Sequence, residues 1–263
     1  MNASKSAGTD EPLGHEVLGT GPARVVVMND WLCDTSTWSG ARPYLDGARF
    51  TFAFADLRGY GRSRGRAGDF TLVEAARDVL ALADALGWAR FAVVGHSMSA
   101  LVALHLAQTF PDRVARAVAL TPPPPTGFGA DEAMLAASRA LALADDATRL
   151  EIFAQRFAAR LSPAWAAFKV AEWRRAADPA AAAAYVAMFA RDGMPDRTTR
   201  IAVPVLAITG EQDAPPMRGE AVAQALGPMC ASLEIAPLAD CGHYPMQEMP
   251  PLTVALVERF LAG

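Results

Sequence analysis

The 263-residue sequence predicts an α/β fold, a mostly parallel central sheet flanked by helices, with a helical cap inserted before the last strands. Three observations predict it. Short apolar runs alternate with helical periodicity along most of the chain, which is the pattern of βαβ units. Those runs are apolar at nearly every position, as strands buried on both faces require. From about residue 130 to residue 195 the alternation stops, and helical patterns follow one another with no strand between them.

Each element has its own signal. Met1 to Pro12 is polar and lacks the apolar stretch of a signal peptide, so a disordered tail over 1–12 is expected. The core is assigned to 13–125 and 201–263, and the cap, or lid, to 126–200. Arg24–Met28 and Phe50–Asp56 are the first strands, the second running into the turn Leu57-Arg-Gly-Tyr-Gly-Arg-Ser63. Thr71 with Glu74 forms a capping box, each side chain taking an orphan helix-end donor. Leu72, Ala76, Val79, Ala83 and Leu86 then share one helical face, and Gly87 stops the helix. Phe91–Val94 is a strand, followed by a helix through Thr109, and Val114–Leu120 is the next strand. The prolines from Pro122 to Pro125 exclude a helix interior.

Within the cap, Leu150, Phe153, Phe157 and Leu161 are expected on one face, and Trp165, Phe168 and Trp173 approximately on another. Asp178-Pro179 reads as an N-cap followed by proline at the first helical position, and Gly193 ends that helix. Three or four helices are expected in all. Val203–Thr209 and Ala231–Ala236 are the last strands, and a helix from about Leu252 to Leu261 closes the core.

Composition narrows the function classes. Hydrophobic residues make up 52% and charged residues 20%, enough apolar surface for a substantial core. A net charge of -4 leaves no electrostatic footprint for nucleic acid or an anionic membrane. Cys33, Cys230 and Cys241 are odd in number and form no CxxC pair, which argues against a disulfide framework and fits a reducing cytoplasm. The four histidines and three separated cysteines give no zinc spacing, so no metal and no cofactor are expected. There is no apolar run of about 20 residues to span a membrane.

The chemistry gathers at three places. Gly95-His-Ser-Met-Ser99 joins a strand to a helix, the context of a nucleophile elbow centred on Ser97. Strand and helix nearly touch there, so the positions two before and two after the serine must be small. Gly95 meets this freely, and Ser99, where glycine is usual, is expected to strain the turn further. The helix N-terminus supplies free N–H groups beside Ser97. A serine alone is a weak nucleophile and needs a base. His243, in the loop Asp240-Cys-Gly-His-Tyr-Pro245, is the candidate. His15 lies in the tail region, His105 among helical leucines, and His96 inside the elbow, where adjacent side chains diverge. The orienting acid is expected after the preceding strand, in Thr209-Gly-Glu-Gln-Asp213: Asp213 is favoured, with Glu211 the fallback.

These motifs, Gly95–Ser99, Asp56–Ser63, Gly210–Asp213 and Gly242-His243, resemble those of the α/β-hydrolase superfamily over nearly the whole chain, in the same order of serine, acid and histidine. Gly-His-Ser-Met-Ser-Ala100 is also similar to the elbow of the strigolactone and karrikin receptors and of bacterial stress-regulator hydrolases. The resemblance implies that the backbone N–H groups of Trp31 and Met98 form an oxyanion hole, each donor contributing roughly 3 kcal/mol in the transition state. One departure stands out. Relatives carry His-Gly after the first core strand, whereas this chain reads Asn29-Asp-Trp-Leu32. Asp30 either points its carboxylate at the oxyanion and opposes catalysis, or turns away to hydrogen-bond the loop.

The expected activity is hydrolysis of a small apolar or aromatic carboxylic ester or lactone through an acyl-enzyme on Ser97, with no protein partner indicated. Trp31, Phe128, Phe153, Phe157, Trp165 and Tyr244 are the candidate pocket residues. Activity should fall below about pH 6 as His243 takes a proton. Two alternatives stand beside it: a ligand sensor with slow hydrolysis and a protein partner, and carbon–carbon cleavage or cofactor-free oxygenation on the same fold.

Overall fold

The computed structural model describes residues 11–156 and 161–263. Among these residues seven strands form one sheet: β1 (His15–Leu18), β2 (Ala23–Met28), β3 (Phe50–Ala55), β4 (Phe91–His96), β5 (Val114–Leu120), β6 (Val205–Gly210) and β7 (Leu233–Leu238), in the order β1-β3-β2-β4-β5-β6-β7. Only β1 runs antiparallel, pairing with β3. The other pairings are parallel, so the strands from β2 onward point their C-terminal ends the same way.

Side chains alternate across this sheet and divide the core. Val93, Ala117, Ala119 and Ala207 face one layer, with α1 (Leu72–Ala85) and α2 (Met98–Thr109). Val94, Val118, Leu120, Leu206 and Ile208 face the other, with Val254, Val257 and Phe260. The prediction of strands buried on both faces rests on this sandwiching of β3 to β6, whose positions are nearly all buried.

The boundaries that differ have local causes. β1 belongs to a segment expected to lie near a tail, so His15 is a strand residue. Periodicity misses it because an edge strand of sequence His-Glu-Val-Leu has no apolar run. β6 begins at Val205 rather than Val203: Pro204 has no N–H to donate, although its carbonyl accepts from Ala117. β7 extends over Pro237, which an edge position tolerates. In the capping box, Thr71 Oγ1 accepts from Glu74 N, but the Glu74 carboxylate takes the N–H of Phe70 instead of that of Thr71.

Among the described residues, four helices lie between β5 and β6, α3 (Glu132–Leu143), α4 (Asp146–Arg156), α5 (Pro163–Ala176) and α6 (Pro179–Ala187), the last running on through one wider turn over Met188–Asp192. Asp178 caps α6 through Ala180 N and Ala181 N, and Gly193 ends the helical path at a φ of 61°. Two facial assignments change. Leu150 is exposed because the buried member of that turn is Arg149, stacked over Trp173 at 4.3 Å. Phe168 also points outward, while Lys169 beside it is fully buried. Phe157 lies outside the described residues. The chain closes with α7 (Gly219–Leu226), α8 (Pro245–Glu248) and α9 (Pro250–Ala262). Among the described residues, no helix is long and apolar enough to cross a membrane.

Candidate active site

The turn between β4 and α2 holds Ser97 at a φ of 53° and ψ of -119°, a conformation that L-residues adopt only under constraint. Two contacts enforce it. Ser97 N donates to Leu120 O at 2.9 Å, and Gly95 packs so closely on the helix start that an added Cβ would stand 2.2 Å from Ser99 O. Ser99, expected to add strain, instead ties the turn. Its hydroxyl accepts from His96 N at 3.0 Å and donates to His96 O at 3.2 Å. Ser97 occupies the N-cap position of α2, yet its hydroxyl does not cap the helix. That oxygen meets Nε2 of His243 at 2.9 Å.

His243 is held from several sides. Its Nδ1 lies 2.7 Å from Asp213 Oδ2, whose other oxygen accepts from Ala214 N at 2.7 Å. The His243 carbonyl accepts from His96 Nε2 at 2.6 Å and from Thr121 Oγ1 at 3.2 Å. Glu248 takes the N–H groups on both sides, Gly242 N at 2.8 Å and Tyr244 N at 2.9 Å. The fallback acid, Glu211, is engaged away from the imidazole. Its Oε1 accepts from Gly219 N at 2.9 Å, capping α7, and from Thr209 Oγ1 at 3.2 Å.

The charges follow this geometry. Burial disfavours the His243 cation, but the charge and hydrogen bond of Asp213 outweigh it and raise the imidazole pKa above 6.5. Burial likewise opposes the Asp213 carboxylate, and the His243 cation and the Ala214 N–H more than offset it, lowering that pKa. His96 is different: burial, with the neighbouring His243 charge, pushes its pKa well below the usual value. It is therefore neutral, with the proton on the Nε2 that faces a carbonyl. His96 thus braces the backbone of His243.

Asp30 turns back into its own loop. Oδ1 accepts from Leu32 N at 2.9 Å and Cys33 N at 2.7 Å, while Oδ2 stands 3.5 Å from His96 Nδ1. Asn29 does the pinning on either side, donating to Asp30 O and Cys33 O and accepting from Leu57 N at 2.8 Å. Tyr60 Oη donates to Trp31 O at 2.7 Å, and Trp31 Nε1 donates to Ala182 O of α6 at 2.7 Å. This segment is consequently fixed to the core by Asn29 and Tyr60, and to the cap by its indole. The N–H groups of Trp31 and Met98 find no acceptor among the described residues.

Ser97 and His243 open onto a cavity of about 560 Å³. Of the candidate pocket residues, Trp31, Phe128 and Tyr244 border it; Phe153 and Trp165 do not. Phe153 is buried behind, edge-on to Trp173, and Trp165 packs at 5.4 Å on Tyr244 from outside the lining. Their places are taken by Met134 and Leu141 of α3, Phe189 after α6, and Pro123 and Met217. Sequence periodicity finds the buried face of a helix but not which buried residues border an empty space. Glu248, which takes two N–H groups of the His243 loop, carries no such signal either: it ends α8, four residues after Tyr244 and one beyond the capping-box spacing.

A family model described as alpha/beta hydrolase fold matches residues 26–215. The enol-lactonase of Burkholderia xenovorans superposes with a TM-score of 0.80 at 26% identity, covering 95% of this chain and 96% of that one. A bromoperoxidase from Bacillus anthracis superposes with a TM-score of 0.81 at 18% identity, a likeness of fold alone, covering 95% of each chain. Over 107 residues the chain is 35% identical to the pimeloyl-acyl-carrier-protein methyl ester esterase of Citrobacter koseri, covering 40% of this chain and 39% of that protein. The matched stretches span 29% to 43% of the length of such curated relatives.

Proposed function

The chain belongs to the alpha/beta hydrolase fold family, and from that premise we propose that it is a serine hydrolase of small apolar or aromatic carboxylic esters or lactones. The observation that carries this reading is the continuous line from Asp213 Oδ2 to His243 Nδ1 at 2.7 Å and from His243 Nε2 to Ser97 Oγ at 2.9 Å. Ser97 Oγ attacks the carbonyl carbon as its proton passes to His243 Nε2. Asp213 steadies the imidazolium. The N–H groups of Trp31 and Met98 receive the oxyanion. Collapse of the tetrahedral adduct returns the proton to the leaving oxygen, and a water activated by the same imidazole releases the acid. Asp30 Oδ1, engaged with the N–H groups of Leu32 and Cys33, orders the loop that presents the Trp31 N–H. The cap over 126–200 supplies Phe128, Met134 and Phe189 to the apolar lining, which favours a small hydrophobic acyl or alcohol group. The enol-lactonase and methyl ester esterase among the relatives act on the same bond class.

Turnover of a panel of short aliphatic and aromatic esters and lactones tests this. Ser97→Ala should lower kcat by about 10⁴-fold or more on every substrate cleaved. Wild-type rates persisting in Ser97→Ala would exclude the serine as nucleophile.

A further inference from the structure

An apolar cavity holds a substrate but orients it poorly, so the polar groups of the lining decide which substrate fits. Most are already engaged here. Ser97, His243 and Asp213 form the proposed triad, Asp30 Oδ1 is taken by its loop, and Gln212 Nε2 donates to Ala239 O at 3.2 Å. Ser138 and Arg218 remain, and Arg218 is the one lysine or arginine among the described lining residues. Its Nε donates to Asp213 O at 2.8 Å, which fixes the guanidinium beside the acid of the triad. Its two terminal nitrogens have no hydrogen bond or ion pair among the described residues, whereas Arg58 and Arg175 hold Asp78 and Asp34. The side chain is exposed at the cavity's edge, so its charge costs little to keep there.

We propose that Arg218 is a specificity residue that binds a free carboxylate on the substrate, so that the preferred substrate is an ester or lactone carrying a second acid group that is not attacked. This deepens the hydrolase reading and rests on it. With Nε committed to a carbonyl, the edge made by the two terminal nitrogens is the one left to meet a carboxylate in a two-pronged contact. A neutral substrate would leave that edge to water. The remainder of the lining then accommodates the carbon skeleton between the two acid functions.

The test compares mono-p-nitrophenyl glutarate with p-nitrophenyl pentanoate, which match in length and differ in the terminal carboxylate. The acid-to-neutral ratio of kcat/KM cancels any general effect of Arg218 on the triad. It should fall by about tenfold or more in Arg218→Gln, less in Arg218→Lys, and decline with added salt in the wild type. Calorimetric binding of monomethyl glutarate and methyl pentanoate to Ser97→Ala, with and without Arg218→Gln, reads the same preference without turnover. A ratio that Arg218→Gln leaves unchanged, or no preference for the hemiester in binding, would overturn the subsite while leaving the hydrolase reading intact. A binding preference with no turnover of either ester would instead count against the hydrolase reading alone.

Discussion

His243 sits between two opposed influences, burial that disfavours its cation and an Asp213 carboxylate that favours it, and the carboxylate wins. That outcome moves the expectation drawn from sequence. A base must be neutral to accept the Ser97 proton, and a raised pKa means protonation persists to higher pH. The acid limb of kcat/KM should therefore have its midpoint above 6.5, histidine's ordinary value, rather than near it. A pH profile of ester hydrolysis checks this; a midpoint at or below 6.5, or a flat profile from about pH 5 to about pH 8, would contradict the assignment. At this scale the sequence is most informative where bond geometry leaves few choices. Chain order and turn chemistry single out Ser97, His243 and Asp213, and the three lie in one hydrogen-bonded line. Glu211 competes as a fallback in the sequence because its engagement with α7 is a tertiary contact that no local pattern encodes. Asp30 is ambiguous there for the same reason: the direction of one carboxylate depends on which N–H groups the folded loop presents.

The helical elements between β5 and β6 are tied to the core by a buried polar cluster under the Trp31 segment. Lys169 of α5 is fully buried, with its Nζ 2.8 Å from Glu172 Oε2, 2.9 Å from Cys33 Sγ and 4.2 Å from the centre of the Tyr244 ring. Burial opposes this cation, but Cys33, Asp30 and Glu172 outweigh it and raise its pKa. Gln247 of α8 also donates to Glu172, at 3.3 Å. Removing one member of such a cluster leaves the other charge buried without a counterion. Lys169→Met should lower stability by about 3 kcal/mol, and Lys169→Met with Glu172→Met should recover much of that loss. Urea unfolding of both variants measures this; a double variant no more stable than Lys169→Met would contradict the expected recovery. Helical periodicity places the cap helices but misassigns faces in α4 and α5, where Leu150 and Phe168 are exposed and Arg149 and Lys169 are buried. A polar network carried inward by long side chains breaks the rule that apolar residues mark the buried face.

Across the molecule, the parallel sheet gathers the C-terminal ends of its strands at one edge, and the proposed chemistry collects there: Ser97 after β4, Asp213 after β6 and His243 after β7, with Trp31 after β2. The cap closes over that edge and leaves the cavity. The sheet is legible in the sequence because its central strands are buried on both faces and announce themselves as apolar runs; β1 is not, because an exposed edge strand has no such mark. Cavity walls are a property of the assembled layers, which is why Met134, Leu141, Phe189 and Arg218 emerge only with the fold. The central claim is that this assembly activates one serine. Intact-mass analysis after treatment with a fluorophosphonate tests it most directly. One adduct on the wild type that is absent from Ser97→Ala is the predicted result. Folded wild-type protein that takes up no adduct, or an adduct that survives in Ser97→Ala, would contradict it.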